Sequence, residues 1–111
     1  MSVVSPMKEQ RIAALKEMLA SNPDDAFALY GLALEYKSSG DLEEAQPLLE
    51  KSLRVEPDQV YAYYQLGEVF IGLDEPESAS KVIQSGIQVA LKAGDAKAVN
   101  ELQALLRSVE D

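Results

Sequence analysis

The sequence of 111 residues contains no cysteine and no histidine. Without cysteine it can form no disulfide framework, no thiol nucleophile and no zinc–thiolate site. Without histidine it lacks the commonest general base and metal ligand, so Ser-His-Asp and Cys-His catalytic sites cannot be built. We therefore expect a protein that is not an enzyme and that needs no cofactor and no metal.

Basic residues and long apolar runs are also scarce. The chain has 10 Lys and Arg against 19 Asp and Glu, for a net charge of −9, and an acidic chain repels the phosphates of nucleic acids. No apolar run approaches the length of a membrane span, and residues 1–10 lack the basic cluster and apolar core of a signal peptide. These absences predict a cytoplasmic protein that binds neither nucleic acid nor a membrane.

The rest of the composition is that of an ordinary globular domain. Hydrophobic residues make up 47% of the chain and charged residues 26%, close to the average, which argues against disorder. The length allows one core, so we expect residues 1–111 to fold as a single domain.

An internal repeat organises the sequence. Pro23 and Pro57 occur in similar tripeptides, each ending in Pro-Asp, and the interval between them recurs along the chain. A fixed period of this kind, in the range of about 20–50 residues, is the mark of a repeat architecture, and we place the two units at 26–59 and 60–93. Small and apolar residues recur at the same offset in these pairs: Ala28 and Ala62, Tyr30 and Tyr64, Leu32 and Leu66, Ala45 and Ala79, Val55 and Val89.

Each unit is predicted to contain two helices, because its apolar residues fall at helical spacing. Gly40 suits the left-handed end of a first helix, and Asp41 with Glu44 has the spacing of a capping box at the start of the second. Pro47 should bend that second helix, which we expect to continue beyond it, and Pro76 suits a first helical position. No segment alternates long enough to form a strand, so we expect an all-α protein.

Two flanking segments also have helical patterns. Residues 6–21 predict an N-terminal helix, and residues 95–109 predict a C-terminal one with Asp95 as N-cap. The C-terminal helix would act as a capping helix over the open end of the stack.

The repeat resembles the tetratricopeptide repeat (TPR), a helix-turn-helix unit of about 34 residues. The second unit departs from the pattern at Leu91, where the closing proline would stand. The resemblance covers about 26–93 and implies a right-handed superhelical stack of antiparallel helix pairs, with Tyr36, Tyr63 and Phe70 in the core. The residues that carry the resemblance are Leu29, Leu32, Ala33, Tyr36, Ala45, Leu49, Ser52 and Pro57 in the first unit, and Tyr63, Leu66, Gly67, Phe70, Ala79, Ile83 and Gly86 in the second.

The resemblance also implies a concave groove formed by the first helix of each unit, the usual ligand surface of this family. Four of its eight positions are aromatic, and Tyr and Phe are good anchors for a bound peptide. The alternative is that these rings pack against each other or against the terminal helices. The groove positions are Phe27, Tyr30, Leu34, Lys37, Tyr61, Tyr64, Glu68 and Ile71.

One known ligand of the family does not suit this sequence. Some members bind the C-terminal carboxylate of chaperones through a clamp of Lys and Asn side chains. The clamp positions correspond here to Tyr30, Leu34 and Gln65, so we predict no chaperone-tail clamp.

The acidic charge lies on the repeats. Residues 23–57 carry a net charge of −5 and residues 58–91 a net charge of −4, partly because acidic residues stand near helix starts, where they are favourable. The expected function is a protein-interaction module that binds a basic or apolar partner peptide or helix in its concave aromatic groove. The alternative is a self-associating assembly scaffold, such as a homodimer, without a groove ligand.

Overall fold

The computed structural model describes residues 6–110. Residues 1–5, half of the segment tested for a signal peptide, lie outside this range. The described residues form six α-helices and no strand, which confirms the all-α prediction. The helices are α1 (Pro6–Ser21), α2 (Ala26–Ser38), α3 (Leu42–Val55), α4 (Val60–Gly72), α5 (Pro76–Ala93) and α6 (Ala96–Glu110).

Acidic side chains cap two of the helices. Asp25 Oδ1 accepts a hydrogen bond from the Ala28 N–H at 3.1 Å, and Asp95 Oδ1 accepts one from the Ala98 N–H at 3.0 Å. The prediction for Asp95 is therefore confirmed. The prediction of a capping box at Asp41 is wrong, because the Asp41 side chain makes no cap hydrogen bond. Unlike Asp25, Asp41 lies outside the extended backbone region that turns a capping side chain toward the first turn.

Glycine and proline mark the other predicted boundaries. Gly40 has a φ of 81°, which confirms the left-handed turn after α2. Pro76 is the first residue of α5, where its missing N–H costs nothing. The second helix of the first unit, α3, continues past Pro47 to Val55 as expected, and the exposed position of Pro47 leaves water free to bind the carbonyl one turn earlier.

The helices form two layers. In the inner layer α2 contacts α4 and α4 contacts α6, whereas the outer helices α1, α3 and α5 make no contact with one another. Close contact on one side only curves the stack, so the inner layer lines its concave face. The buried apolar core lies between the layers and includes Leu29, Leu32, Leu49, Leu66, Val69, Phe70, Ile83, Ile87 and Leu102.

Small residues let the two layers approach closely. A Cβ added at Gly86 of α5 would lie 2.5 Å from Tyr63 Cβ of α4, and one at Gly67 of α4 would lie 2.6 Å from Ile83 Cγ1 of α5. Of the three aromatic residues predicted in the core, Phe70 is buried. Tyr36 is half-buried and packs against the core. Tyr63 is also half-buried, and its hydroxyl donates to the Pro57 carbonyl at 2.6 Å.

The sixth helix takes the place of a first helix in a third unit. Because α5 has 18 residues against 14 in α3, the interval from a residue of α4 to its counterpart in α6 is slightly longer than the repeat period. We call this interval the longer offset. At the longer offset Ala62 matches Ala98 and Leu66 matches Leu102, and all four are buried. Thus α6 extends the inner layer as well as covering the end of the core.

Candidate binding groove on the inner helices

The inner layer brings the eight predicted groove positions onto two neighbouring helices, α2 and α4. On α2, Phe27 is 73% exposed, whereas Tyr30 is half-buried and packs against the core. Burial raises the pKa of Tyr30 above its ordinary value, and a hydrogen bond with Gln65 offsets part of that rise. Leu34, one turn further along, is also half-buried. The first half of the groove therefore has one free ring and one ring anchored in the protein.

A polar network joins α2 to α4 across the groove. Lys37 Nζ lies 2.6 Å from Gln65 Oε1 and 2.6 Å from Glu68 Oε1. Two predicted groove residues, Lys37 and Glu68, thus form an ion pair with each other, and both side chains are partly shielded from water. The network fixes the spacing of the two helices and neutralises the cation on α2.

Tyr61 and Tyr64 of α4 lie near the inner helix α6. Tyr61 is 38% exposed, and its hydroxyl donates to Glu101 Oε1 of α6 at 3.2 Å. Tyr64 is half-buried and packs against the core, and Ile71 is 39% exposed. The alternative, that the rings pack against each other or against the terminal helices, therefore describes Tyr61 in part, because its hydroxyl contacts α6.

Carboxylates lie close to two phenols of this surface. The pKa of Tyr61 is raised mainly by burial and further by the charges of Glu101 and Asp95. The pKa of Tyr64 is raised by burial and by the charges of Glu68 and Glu101. Both phenols consequently stay neutral and able to donate hydrogen bonds well above neutral pH.

Two contributors to the groove were not among the predicted site residues. Gln65 accepts a hydrogen bond from the Lys37 amine, and Glu101 of α6 accepts one from the Tyr61 hydroxyl. Only the longer offset from α4 to α6, at which Gln65 matches Glu101, would have placed Glu101 on the inner layer. A search at the repeat period misses it.

The described residues contain no group of three or more Asp and Glu side chains arranged to hold a metal ion. Within residues 6–110 no helix is both long and apolar enough to cross a membrane. What the groove offers is a surface of aromatic rings, amide groups and carboxylates, and such a surface is suited to binding.

Comparisons with known proteins agree with this architecture. The family model of the tetratricopeptide repeat matches residues 36–107, more than half of the chain. No curated protein sequence matches the chain.

Solved structures extend the similarity to almost the whole chain. A tetratricopeptide repeat domain protein from Salinibacter ruber is 34% identical, and the match covers 80% of this chain and 90% of that one with a TM-score of 0.73. Protein BPP2914 from Bordetella parapertussis is 26% identical over 99% of this chain and 90% of that one, with a TM-score of 0.78. The TPR2B domain of yeast Sti1, solved in a complex with pHsp70, is 20% identical over 94% of this chain and 86% of that one, with a TM-score of 0.84. The family match and the Salinibacter structure together show that the chain belongs to the tetratricopeptide repeat family.

Proposed function

We propose that this protein is an interaction module whose inner helices bind an extended or helical segment of a partner protein. The observation that carries the proposal is the row of aromatic side chains that the fold leaves accessible on the concave layer. Phe27 is 73% exposed and Tyr61 38% exposed, although burying rings of this size would stabilise the isolated protein. Exposed aromatic surface on a concave face is typical of a binding site.

Charge and packing limit the partner's chemistry. Glu68 and Glu101 lie close enough to Tyr64 to raise its pKa, and the chain carries a net charge of −9, so we infer that the groove favours basic or apolar segments over acidic ones. Sti1, which shares only the fold at 20% identity, is solved in a complex with pHsp70, and this precedent supports protein binding in general. It does not extend to the clamp chemistry, because Tyr30, Leu34 and Gln65 stand at the clamp positions.

The test uses random twelve-residue peptides displayed on phage and selected on the immobilised protein. A selected peptide is synthesised, and its affinity is measured for the wild type and for Phe27→Ala and Tyr64→Ala. We expect each substitution to weaken binding about tenfold, the usual effect of losing an aromatic anchor. Circular dichroism must show that both variants are folded, since Tyr64 also packs against the core.

A matched control lies outside the groove. Leu91 is 56% exposed on the outer helix α5, so Leu91→Ala removes a similar apolar surface from another face. Peptides that bind Phe27→Ala and Tyr64→Ala as tightly as the wild type would place the binding surface elsewhere.

The alternative is self-association through the end of the stack formed by α5 and α6. Leu91 borders a cavity of about 220 Å³ that Val99 and Gly94 also line, and this apolar surface favours contact between copies. Light scattering after size-exclusion chromatography separates the two functions. A monomer at high concentration excludes the scaffold, whereas a dimer that Leu91→Glu dissociates supports it.

A further inference from the structure

A second cavity opens at the edge of the groove, where α2 begins beside the loop between α3 and α4. Its volume is about 490 Å³, and we call it the α2-edge cavity. Within residues 6–110, the side chains around it include three carboxylates and two aromatic rings but no Lys or Arg. The lining residues that matter here are Asp24, Asp25, Phe27, Tyr30, Glu56 and Gln59.

The carboxylates of the α2-edge cavity are incompletely neutralised. Asp24 lies 3.7 Å from Lys51 Nζ, but both side chains are exposed, so the pair is weak. Asp25 accepts its capping hydrogen bond from the Ala28 N–H, which carries no formal charge. Glu56 forms no ion pair with any described residue. The cavity therefore holds more negative charge than the protein itself compensates.

An uncovered ring stands next to these carboxylates. Phe27 is 73% exposed, whereas Tyr61, its counterpart in the second unit, is 38% exposed and hydrogen-bonded to Glu101. The face of an aromatic ring attracts a cation within about 6 Å of its centre. A ring and carboxylates at one cavity thus complement the same kind of group, a guanidinium or ammonium with an apolar stem.

The corresponding place in the second unit differs in each of these respects. A cavity of about 440 Å³ lies there, lined by Pro57, Asp58, Val89, Lys92 and Ala93. Lys92 lines this cavity together with Asp58, and no aromatic ring does. The counterpart of Glu56 is Ala90, which is buried. Of these two cavities, only the α2-edge cavity is lined by an aromatic ring together with carboxylates and by no Lys or Arg.

We propose that the α2-edge cavity receives an Arg or Lys side chain of the segment bound in the groove, held between the Phe27 ring and the carboxylates of Asp24 and Glu56. The inference rests on the proposed function and adds one position of the partner's sequence to it. It also links the groove to its edge, because Tyr30 lines both.

The probe is N-acetylarginine amide, titrated into the ¹⁵N-labelled full chain and followed by amide chemical shifts. N-acetylcitrulline amide, which has nearly the same shape without the charge, is the matched ligand. We expect the arginine derivative to shift amides of residues 22–30 and 56–59, and the citrulline derivative to leave them in place. Glu56→Gln and Phe27→Ala should each weaken arginine binding about threefold.

Two further variants make the result specific. Glu77→Gln removes another exposed carboxylate, on α5, and should leave arginine binding unchanged. Leu91→Ala, the control on the outer helix α5, should also leave it unchanged. Equal shifts with both ligands, shifts spread over all acidic residues, or an equal loss in Glu77→Gln would overturn the assignment.

Peptide selection separates failure of this inference from failure of the proposed function. Selected peptides should contain an Arg or Lys whose replacement by citrulline or norleucine weakens binding to the wild type but not to Glu56→Gln. Peptides that bind the groove without such a residue overturn the inference and leave the proposed function intact. If no peptide is selected, both are overturned.

Discussion

Lys37 Nζ of α2 and Glu68 Oε1 of α4 lie 2.6 Å apart and connect the two inner helices. The side chains are 24% and 36% exposed, so water screens the pair only in part. An ion pair at this depth stabilises the spacing of two helices as well as the fold.

Removing this cation should destabilise the protein. Lys37→Met leaves the Glu68 carboxylate and the Gln65 amide oxygen without their donor, and we expect a loss of about 1 kcal/mol in the free energy of unfolding. Urea denaturation measures it. Lys81, exposed and without an ion pair in the described chain, supplies the control Lys81→Met, which should change stability by less than about 0.5 kcal/mol. Equal stability of the two variants would contradict a structural role for the pair.

Closing the gap at Gly86 should separate α4 from α5. A Cβ there meets Tyr63 Cβ at 2.5 Å, and Tyr63 Cβ cannot move without its backbone. We expect Gly86→Ala to cost about 1–3 kcal/mol despite the better helix propensity of alanine. Gly72→Ala is the control, because its Cβ meets only the flexible end of Leu42, Cδ1, at 2.5 Å. Thermal and urea unfolding measure the stability of both variants. A larger loss of stability in Gly72→Ala than in Gly86→Ala would contradict this prediction.

Glu35 should make stability depend on acid. Arg11 donates two hydrogen bonds to its carboxylate, at 2.9 and 3.1 Å, and they lower the pKa of Glu35 in the folded state. The unfolded chain therefore binds the proton first, and this contribution to stability, complete above about pH 5, is lost as the pH falls through the lowered pKa. We expect the stability difference between wild type and Glu35→Gln to shrink between pH 7 and pH 3.

The matched control for this experiment is Glu17→Gln. Glu17 is exposed on α1 and forms no ion pair with the rest of the described chain. The stability of this variant is measured by urea denaturation at each pH of the same range and serves as the reference for Glu35→Gln. A constant difference for Glu35→Gln would show that the hydrogen bonds to Arg11 do not favour the folded state.

The pKa of Tyr61 depends on the carboxylate of Glu101 on α6. Burial raises its pKa most, and Glu101 raises it further through its charge and its hydrogen bond. Glu101→Gln should therefore lower the pKa of Tyr61 toward its ordinary value while leaving it raised by burial. Proton titration followed by ¹³C chemical shifts of labelled tyrosine rings measures this. Tyr30, whose shift involves no acidic residue, should titrate as in the wild type.

The periodicity of the sequence predicted most of the fold. The pairing of Ala28 with Ala62 and of Leu32 with Leu66 placed buried residues correctly, because helix packing requires a small or apolar side chain at each such position. Periodicity could not predict whether the Asp41 side chain caps α3, since a cap depends on backbone angles that neighbouring residues set. The partial burial of Tyr63 was also not predicted, because a tyrosine combines an apolar ring with a hydroxyl that needs a polar partner, here the Pro57 carbonyl.

The helices that carry the proposed groove residues were predictable, but the contacts between their side chains were not. Spacing placed Phe27, Lys37 and Glu68 on the first helices of the units. It did not show that Lys37 and Glu68 pair with each other, because that contact depends on the distance between α2 and α4. Glu101 was missed because additional residues before α6 change the offset at which its counterparts occur.

The greater length of α5 also decides which side chains α6 contributes to the inner layer. At the longer offset, Lys97 and Asn100 of α6 correspond to Tyr61 and Tyr64 of α4. The side chain of Lys97 is 84% exposed, and its Nζ lies 4.0 Å from Glu101 Oε1. The two aromatic pairs of the units, Phe27 with Tyr61 and Tyr30 with Tyr64, therefore have no third member, and α6 continues the layer with polar side chains in their place.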